Sequence, residues 1–157
     1  MRLEYFQLID RVLDLNLADR TIRSEATVPT QSTIFEGHFP GRPLMPGVLL
    51  IETMAQTCGW LLLATMGFTR MAFLASVREA KFRTFVTPGQ VLTISARLDH
   101  EGSGFAVASA KIKADNKLIC DAGLTFRVVD FPNAEMHQQM CATAVQIGLS
   151  TEALTDG

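Results

Sequence analysis

The apolar positions of this chain change their period part-way along. From residue 46 to residue 66 almost every position is apolar, including Val48, Leu49, Leu50, Ile51, Met54, Ala55, Cys58, Trp60, Leu61, Leu62 and Leu63. Pro46 suits a first helical position, where its missing N–H costs nothing, and Gly67 can supply the left-handed residue that ends a helix. The pattern therefore predicts about 20 residues of helix, apolar nearly all the way round, which something must surround. Its polar exceptions, Glu52, Thr53, Gln56 and Thr57, fall at i, i+1, i+4 and i+5 and read as one wet or functional stripe.

After this helix the period is two. Residues 91 to 99 alternate, with Leu92, Ile94, Ala96 and Leu98 on one face, which predicts a half-buried strand. A turn at residues 101 to 104, a strand over 105 to 114, a hairpin turn at Asp115-Asn116-Lys117 and a strand over 118 to 129 follow. Residues 21 to 28 alternate in the same way, and residues 71 to 77 make a short apolar run, so each adds a strand. Strands gathered around one long helix predict an α+β domain in which a curved antiparallel sheet wraps the helix. Residues 133 to 147 carry a weak helical pattern, and the polar end at residues 150 to 157 predicts little order. The division read from this is a domain over residues 1 to 131 and a tail over 132 to 157, to which no function is assigned.

Composition narrows the reading. The chain has 157 residues, 48% of them hydrophobic, and a formal charge of −2 with its basic residues scattered; one core is expected and a nucleic-acid partner is not. Cys58, Cys120 and Cys141 are odd in number and lack metal-ligand spacing, so free thiols in or near the core are expected. The apolar stretch from residue 45 to residue 68 is long enough for a membrane span, but Glu52 at mid-span would be expensive in lipid, which favours a core helix. No basic segment followed by an apolar run opens the chain, so a cytoplasmic location is expected. Nor is there a phosphate-binding glycine loop, and no nucleotide cofactor is implied.

Chemistry concentrates between His38 and Glu52. Pro40, Pro43 and Pro46 stiffen the loop around His38, and a stiff loop holds an imidazole still, as proton transfer requires. A carboxyl shielded from water and cations, as Glu52 would be on this helix, keeps its proton nearer neutral pH and can donate it. Gly47 lies in the first helical turn, where backbone N–H groups lack intrahelical partners and favour negative charge. Together the three suit removal of a proton beside a carbonyl, with His38 as base, an enolate held at the helix N-terminus and Glu52 as acid. Spacing does not place His38 and Glu52 in the same subunit.

The segments Gly37-His38-Phe39-Pro40-Gly41-Arg42-Pro43, Met45-Pro46-Gly47-Val48-Leu49 and Ile51-Glu52-Thr53-Met54-Ala55-Gln56 closely resemble the motif of FabZ-type 3-hydroxyacyl-[acyl-carrier-protein] dehydratases. Residues 73 to 83 and 86 to 89 are similar to that family's second block, and the likeness covers roughly residues 8 to 129. The resemblance implies a hotdog fold, no metal or organic cofactor, and acyl carrier protein bearing a 3-hydroxyacyl thioester as partner. It also implies homodimers, often assembled into hexamers, with the histidine of one subunit facing the glutamate of the other. It gives His38 the base position, Glu52 the acid position, Gly47 the N–H that contacts the thioester carbonyl, and Gln56 a supporting position that a backbone-satisfied amide would fill equally well.

Glutamate at position 52 resembles the plain dehydratase and not its isomerising relative FabA. The family's Pro-His-Arg-Tyr-Pro segment is missing, and the chain beyond Phe131 is unusually long. The wording around residues 3 to 7, 52 to 57 and 100 to 105 is similar to a rhizobial branch serving very-long-chain acyl groups of lipid A. Carrier proteins are acidic, so Arg78, Lys81 and Arg83 are candidates for docking, with a solvated strand face as the alternative. Two other functions compete: a hotdog thioesterase, whose loop the segment from His38 to Gly47 does not resemble, and a silent acyl-binding subunit, which would be expected to lack His38 or Glu52.

Overall fold

The computed structural model describes residues 1–149. A 3-10 turn at Leu3–Tyr5 precedes β1 (Arg11–Asn16), β2 (Thr21–Thr27), a short α1 (Thr33–Gly37), the long α2 (Gly47–Thr65), β3 (Arg70–Phe82), β4 (Val91–Gly102), β5 (Phe105–Ala114), β6 (Lys117–Asp130) and α3 (Ala134–Gln146). The six strands form one antiparallel sheet in the order β1-β2-β4-β5-β6-β3. α2 crosses its inner face and touches β2 through β6. The expected α+β hotdog architecture is present. Long and apolar enough to cross a membrane by composition, α2 is the core helix of this domain, with 61% of its most apolar window buried.

Small residues in register make room for the helix. Ala96 pairs with Ala110, and Ala110 pairs with Ala122, so a row of bare Cβ atoms crosses three central strands. All three are buried. Leu92, Ile94 and Leu98 flank the row on β4, and Leu124, Phe126 and Val128 on β6. The β4–β5 and β5–β6 hairpins turn through two residues of positive φ, Ser103-Gly104 and Asp115-Asn116, the pair of left-handed residues whose twist matches that of the strands they join.

α2 ends as expected, with Gly67 at φ 60 and its N–H donating to the Ala64 carbonyl. It begins one residue later than expected: Pro46 is the N-cap, at φ −59 and ψ 135, and Gly47 is the first helical residue. The polar stripe also divides. Thr53 and Thr57 are fully buried, each hydroxyl donating to the carbonyl four residues back, while Glu52 and Gln56 are half-buried. At one residue's offset the two pairs point about 100° apart, so only one of them meets the wet side.

Three elements differ from the pattern reading. β3 has 13 residues instead of seven, because it is a sheet edge exposed over most of its length and bulged near Leu74 and Arg78, which erases alternation. β1 and α1 carry no period, β1 being a mostly exposed edge and α1 a single turn. α3 occupies most of the expected 133 to 147 segment and is not loose: Ala144, Ile147 and Leu149 join the core. Residues 150 to 157, where little order is expected, lie outside the described residues.

The thiols of Cys58 and Cys120 are pushed up to about 12, first by burial and then by Asp99 and Asp121 respectively. They are free thiols in the core, as the spacing suggested.

One buried polar contact fastens helix to sheet: the Ser24 and Thr57 hydroxyls lie 2.7 Å apart, both residues fully buried. Thr57→Val keeps the shape but strands the Ser24 hydroxyl, a loss expected to cost about 1–3 kcal/mol. The double variant with Ser24→Ala should recover much of that loss. Urea unfolding of both variants checks it, and equal destabilisation by single and double variants would remove this contact from the account.

Candidate active site

The loop that carries His38 is tied at several points. Ser32 caps α1, its hydroxyl accepting from the Ile34 N–H. The Glu4 carboxylate accepts from the Ser32 hydroxyl at 2.7 Å and from the Thr33 N–H at 2.9 Å. Phe39 and Arg42 exchange backbone bonds across a turn with Gly41 at φ 74, the Leu44 N–H donates to the His38 carbonyl, and the Met45 N–H donates to the Val86 carbonyl at 2.7 Å. The three prolines are thus supplemented by a closed set of main-chain bonds.

His38 is half-buried and stacks on Phe39, ring centroids 4.1 Å apart. Its Nδ1 lies 2.9 Å from the Leu44 carbonyl oxygen. A carbonyl only accepts, so Nδ1 carries the proton and donates, and Nε2 keeps its lone pair. The imidazole is therefore held as the tautomer that takes up a proton at Nε2.

Glu52 sits elsewhere. It opens onto a cavity of about 400 Å³ that Gln56 also lines and His38 and Gly47 do not. Gln56 is hydrogen-bonded on both sides of its amide. Its oxygen accepts from the Leu8 N–H at 3.1 Å, and its nitrogen donates to the Phe6 carbonyl at 2.8 Å and to Glu52 Oε1 at 3.2 Å. Its amide therefore meets backbone on both sides and also reaches the Glu52 carboxylate. Gly47 heads α2, and no backbone carbonyl accepts its N–H among the described residues. A Cβ there would lie 3.2 Å from the Phe82 ring, which rests on the helix start.

Five residues separate Gly47 from Glu52, about 140° around the helix, so the two do not share a face. Within one chain the structure brings Glu52 to Gln56 and keeps them apart from His38 and Gly47. The basic candidates also separate: Arg83 is held by Asp121 at 2.5 Å, whereas Arg78 and Lys81 are exposed and without an ion pair among the described residues. Glu4, Phe6 and Leu8 support the site from the N-terminal segment, and composition gave no signal for them, since they act through backbone and capping contacts. No cluster of residues able to hold a metal is present among the described residues.

Residues 2–123 match the model of the FabA-like domain. The chain belongs to that family. It is 34% identical over 125 residues to the FabZ 3-hydroxyacyl-[acyl-carrier-protein] dehydratase of Fusobacterium nucleatum, covering 80% of this chain and 88% of that one. It is 38% identical over 128 residues to the same enzyme of Chlamydia pneumoniae, covering 80% and 84%. In fold it is similar to the dehydratase heterocomplex ApeI:P from Xenorhabdus doucetiae, with a TM-score of 0.62 at 18% identity over 86% and 90% of the chains. A hypothetical thioesterase with coenzyme A from Streptococcus pneumoniae has a TM-score of 0.59 at 16% identity over 78% and 88%. The FabZ relatives separate these two fold neighbours in favour of dehydration. The family match ends at Gly123, before β6 is complete and before α3 begins.

The Glu4 carboxyl is lowered to about 2, chiefly by the Ser32 hydroxyl and then by backbone bonds including the Thr33 N–H. A depressed carboxylate adds stability above its ordinary value near 4.5 and loses it as the pH falls through the folded value. Protection of the Thr33 and Ile34 amides from hydrogen exchange, corrected for intrinsic rates, should therefore decline across that window. Glu4→Gln should flatten the dependence, and an unchanged profile in that variant would show that another group is responsible.

Proposed function

We propose that this protein dehydrates 3-hydroxyacyl chains carried on acyl carrier protein to trans-2-enoyl chains, in fatty acid biosynthesis. The observation that carries this reading is the imidazole pinned through Nδ1 in a chain whose relatives are FabZ dehydratases. His38 Nε2 removes the proton from C2 of the thioester. Charge passing to the carbonyl oxygen is met by the Gly47 N–H at the head of α2. Glu52, oriented through Oε1 by Gln56, gives the proton on its other oxygen to the departing 3-hydroxyl, which leaves as water. The C2–C3 double bond forms, and proton return from His38 to Glu52 through solvent restores both groups.

The division of the site supports a homodimer in which His38 and Gly47 of one copy face Glu52 and Gln56 of the other. The β3 edge supports it too: an edge of 13 residues, free among the described residues and bearing exposed Phe73, Leu74, Val77 and Phe82, invites pairing with another chain. Hexamers of such dimers, a cytoplasmic setting and the very-long-chain branch belong to the same reading. Arg78 and Lys81, without an ion pair among the described residues, would meet the acidic carrier, with Arg83 engaged by Asp121.

His38→Ala and Glu52→Gln should each lower kcat by about two to four powers of ten while leaving the fold intact. Mixing the two inactive variants under conditions of subunit exchange should restore activity, because one site of each mixed dimer then carries an unaltered His38 and an unaltered Glu52. Enoyl absorbance and product mass report the result. Active single variants would refute the roles, and failure of the mixture to recover would place both residues in one chain.

A further inference from the structure

The cavity that begins at Glu52 continues along α2. Glu52, Gln56, Gly59, Trp60 and Leu63 all line it, at i, i+4, i+7, i+8 and i+11 on one helical face. Eleven residues at 1.5 Å each make that face about 16 Å long. Gly59 deepens it, since a Cβ there would meet nothing within 4 Å. β3 lines it through Met71 to Leu74, and α3 lines it through Met140 and Thr143, with Ile147 at the C-cap of α3.

α3 is pinned at both ends of this trough. Near its start His137 Nε2 donates to the Phe68 carbonyl at 3.0 Å, just beyond the end of α2. At its finish the Ile147 carbonyl accepts from the Val12 N–H at 2.7 Å. Residues of α2 and of α3 both line the cavity. The lining changes character along the same line, from Glu52, Gln56 and Gln7 at one end to Leu63, Met71 and Met140 at the other. The volume, about 400 Å³, lies in the range of small-molecule sites.

We infer that α3 is the wall of the acyl-chain pocket and, with Gly59, sets the length of chain the enzyme accepts. This rests on the dehydratase reading, because Glu52 fixes which end of the trough receives the thioester. The occupant is the substrate's own acyl chain, lying tail-first toward Leu63 and Met140. α3 lies wholly outside the matched family region, so this wall is an addition to the dehydratase core.

Gly59→Leu, which fills the floor, and Thr143→Phe, which thickens the wall, test it without touching His38, Glu52, Gly47 or Gln56. Each is assayed with 3-hydroxybutyryl, 3-hydroxydecanoyl and 3-hydroxypalmitoyl carrier thioesters, alongside binding of cis-parinaric acid as a probe independent of turnover. Expected is a loss of about tenfold or more in kcat/KM for the longest chain, the shortest being retained, with parinarate bound correspondingly more weakly. An unchanged length profile with unchanged parinarate binding would overturn the inference. So would a uniform loss at every length, or dissociation of the assembly by Gly59→Leu, which would make the trough a contact between copies. If the unaltered protein dehydrates no thioester, the dehydratase reading fails by itself, and parinarate binding still decides whether α3 and Gly59 bound an acyl pocket.

Discussion

Everything in this fold depends on hiding α2. A 19-residue helix that is apolar on nearly every side has no face to give to water, so a single packing partner on one side would leave the other side exposed. The antiparallel sheet answers by curving round it, and the aligned alanines of β4, β5 and β6 let the helix sit close to the strands. Two hydroxyls inside this contact, Ser24 and Thr57, satisfy each other and fix how the helix lies on the sheet. The wrapping is incomplete on one side, where α2 presents Glu52, Gln56 and Gly59. That gap is where the carboxylate and the cavity are found.

The histidine is positioned by a different principle. It caps the single turn of α1, its N–H donating to the Ile34 carbonyl, and begins a loop; loops hold side chains still only when their backbone bonds are closed. Here bonds run outward to two separate parts of the chain, through Glu4 to the N-terminal turn and through Met45 to Val86, and others close the turn at Gly41 from within. The same loop supplies the Leu44 carbonyl that selects the imidazole tautomer. Proline alone would have stiffened this segment without choosing which nitrogen carries the proton.

Much of the architecture was legible because its signals are strong and local. The alternation from Leu92 to Leu98, the Asp115-Asn116 turn and the Gly67 helix end each follow from one period or one backbone preference. β3 was read too short because an exposed edge strand has no inner face along most of its length to impose alternation. The division of the polar stripe on α2 was missed for a related reason. Threonine can bond its own helix backbone and so be buried, as Thr53 and Thr57 are, and nothing in the spacing separates such a threonine from a wet one. The motif from His38 to Gln56 stood out in the sequence, but the contacts of Phe6 and Leu8 with Gln56 did not, since they are made by backbone groups that every residue type carries.

Geometry gives the motif its further meaning. Gly47 and Glu52 are close in sequence, yet a helix turns them about 140° apart, and the stapled loop keeps His38 out of the cavity that Glu52 lines. A rigid loop and a rigid helix cannot both swing to bring these groups onto one substrate without breaking the bonds that define them. The two-copy site proposed above preserves every one of those bonds, one copy offering His38 and the Gly47 N–H and the other offering Glu52 with Gln56. Among the described residues β3 is the end of the sheet, and Phe73 and Leu74 on it line the Glu52 cavity, so in the proposed dimer a second copy would deliver its histidine there. The same rigidity would keep the two halves of that proposed site in register when a pair forms.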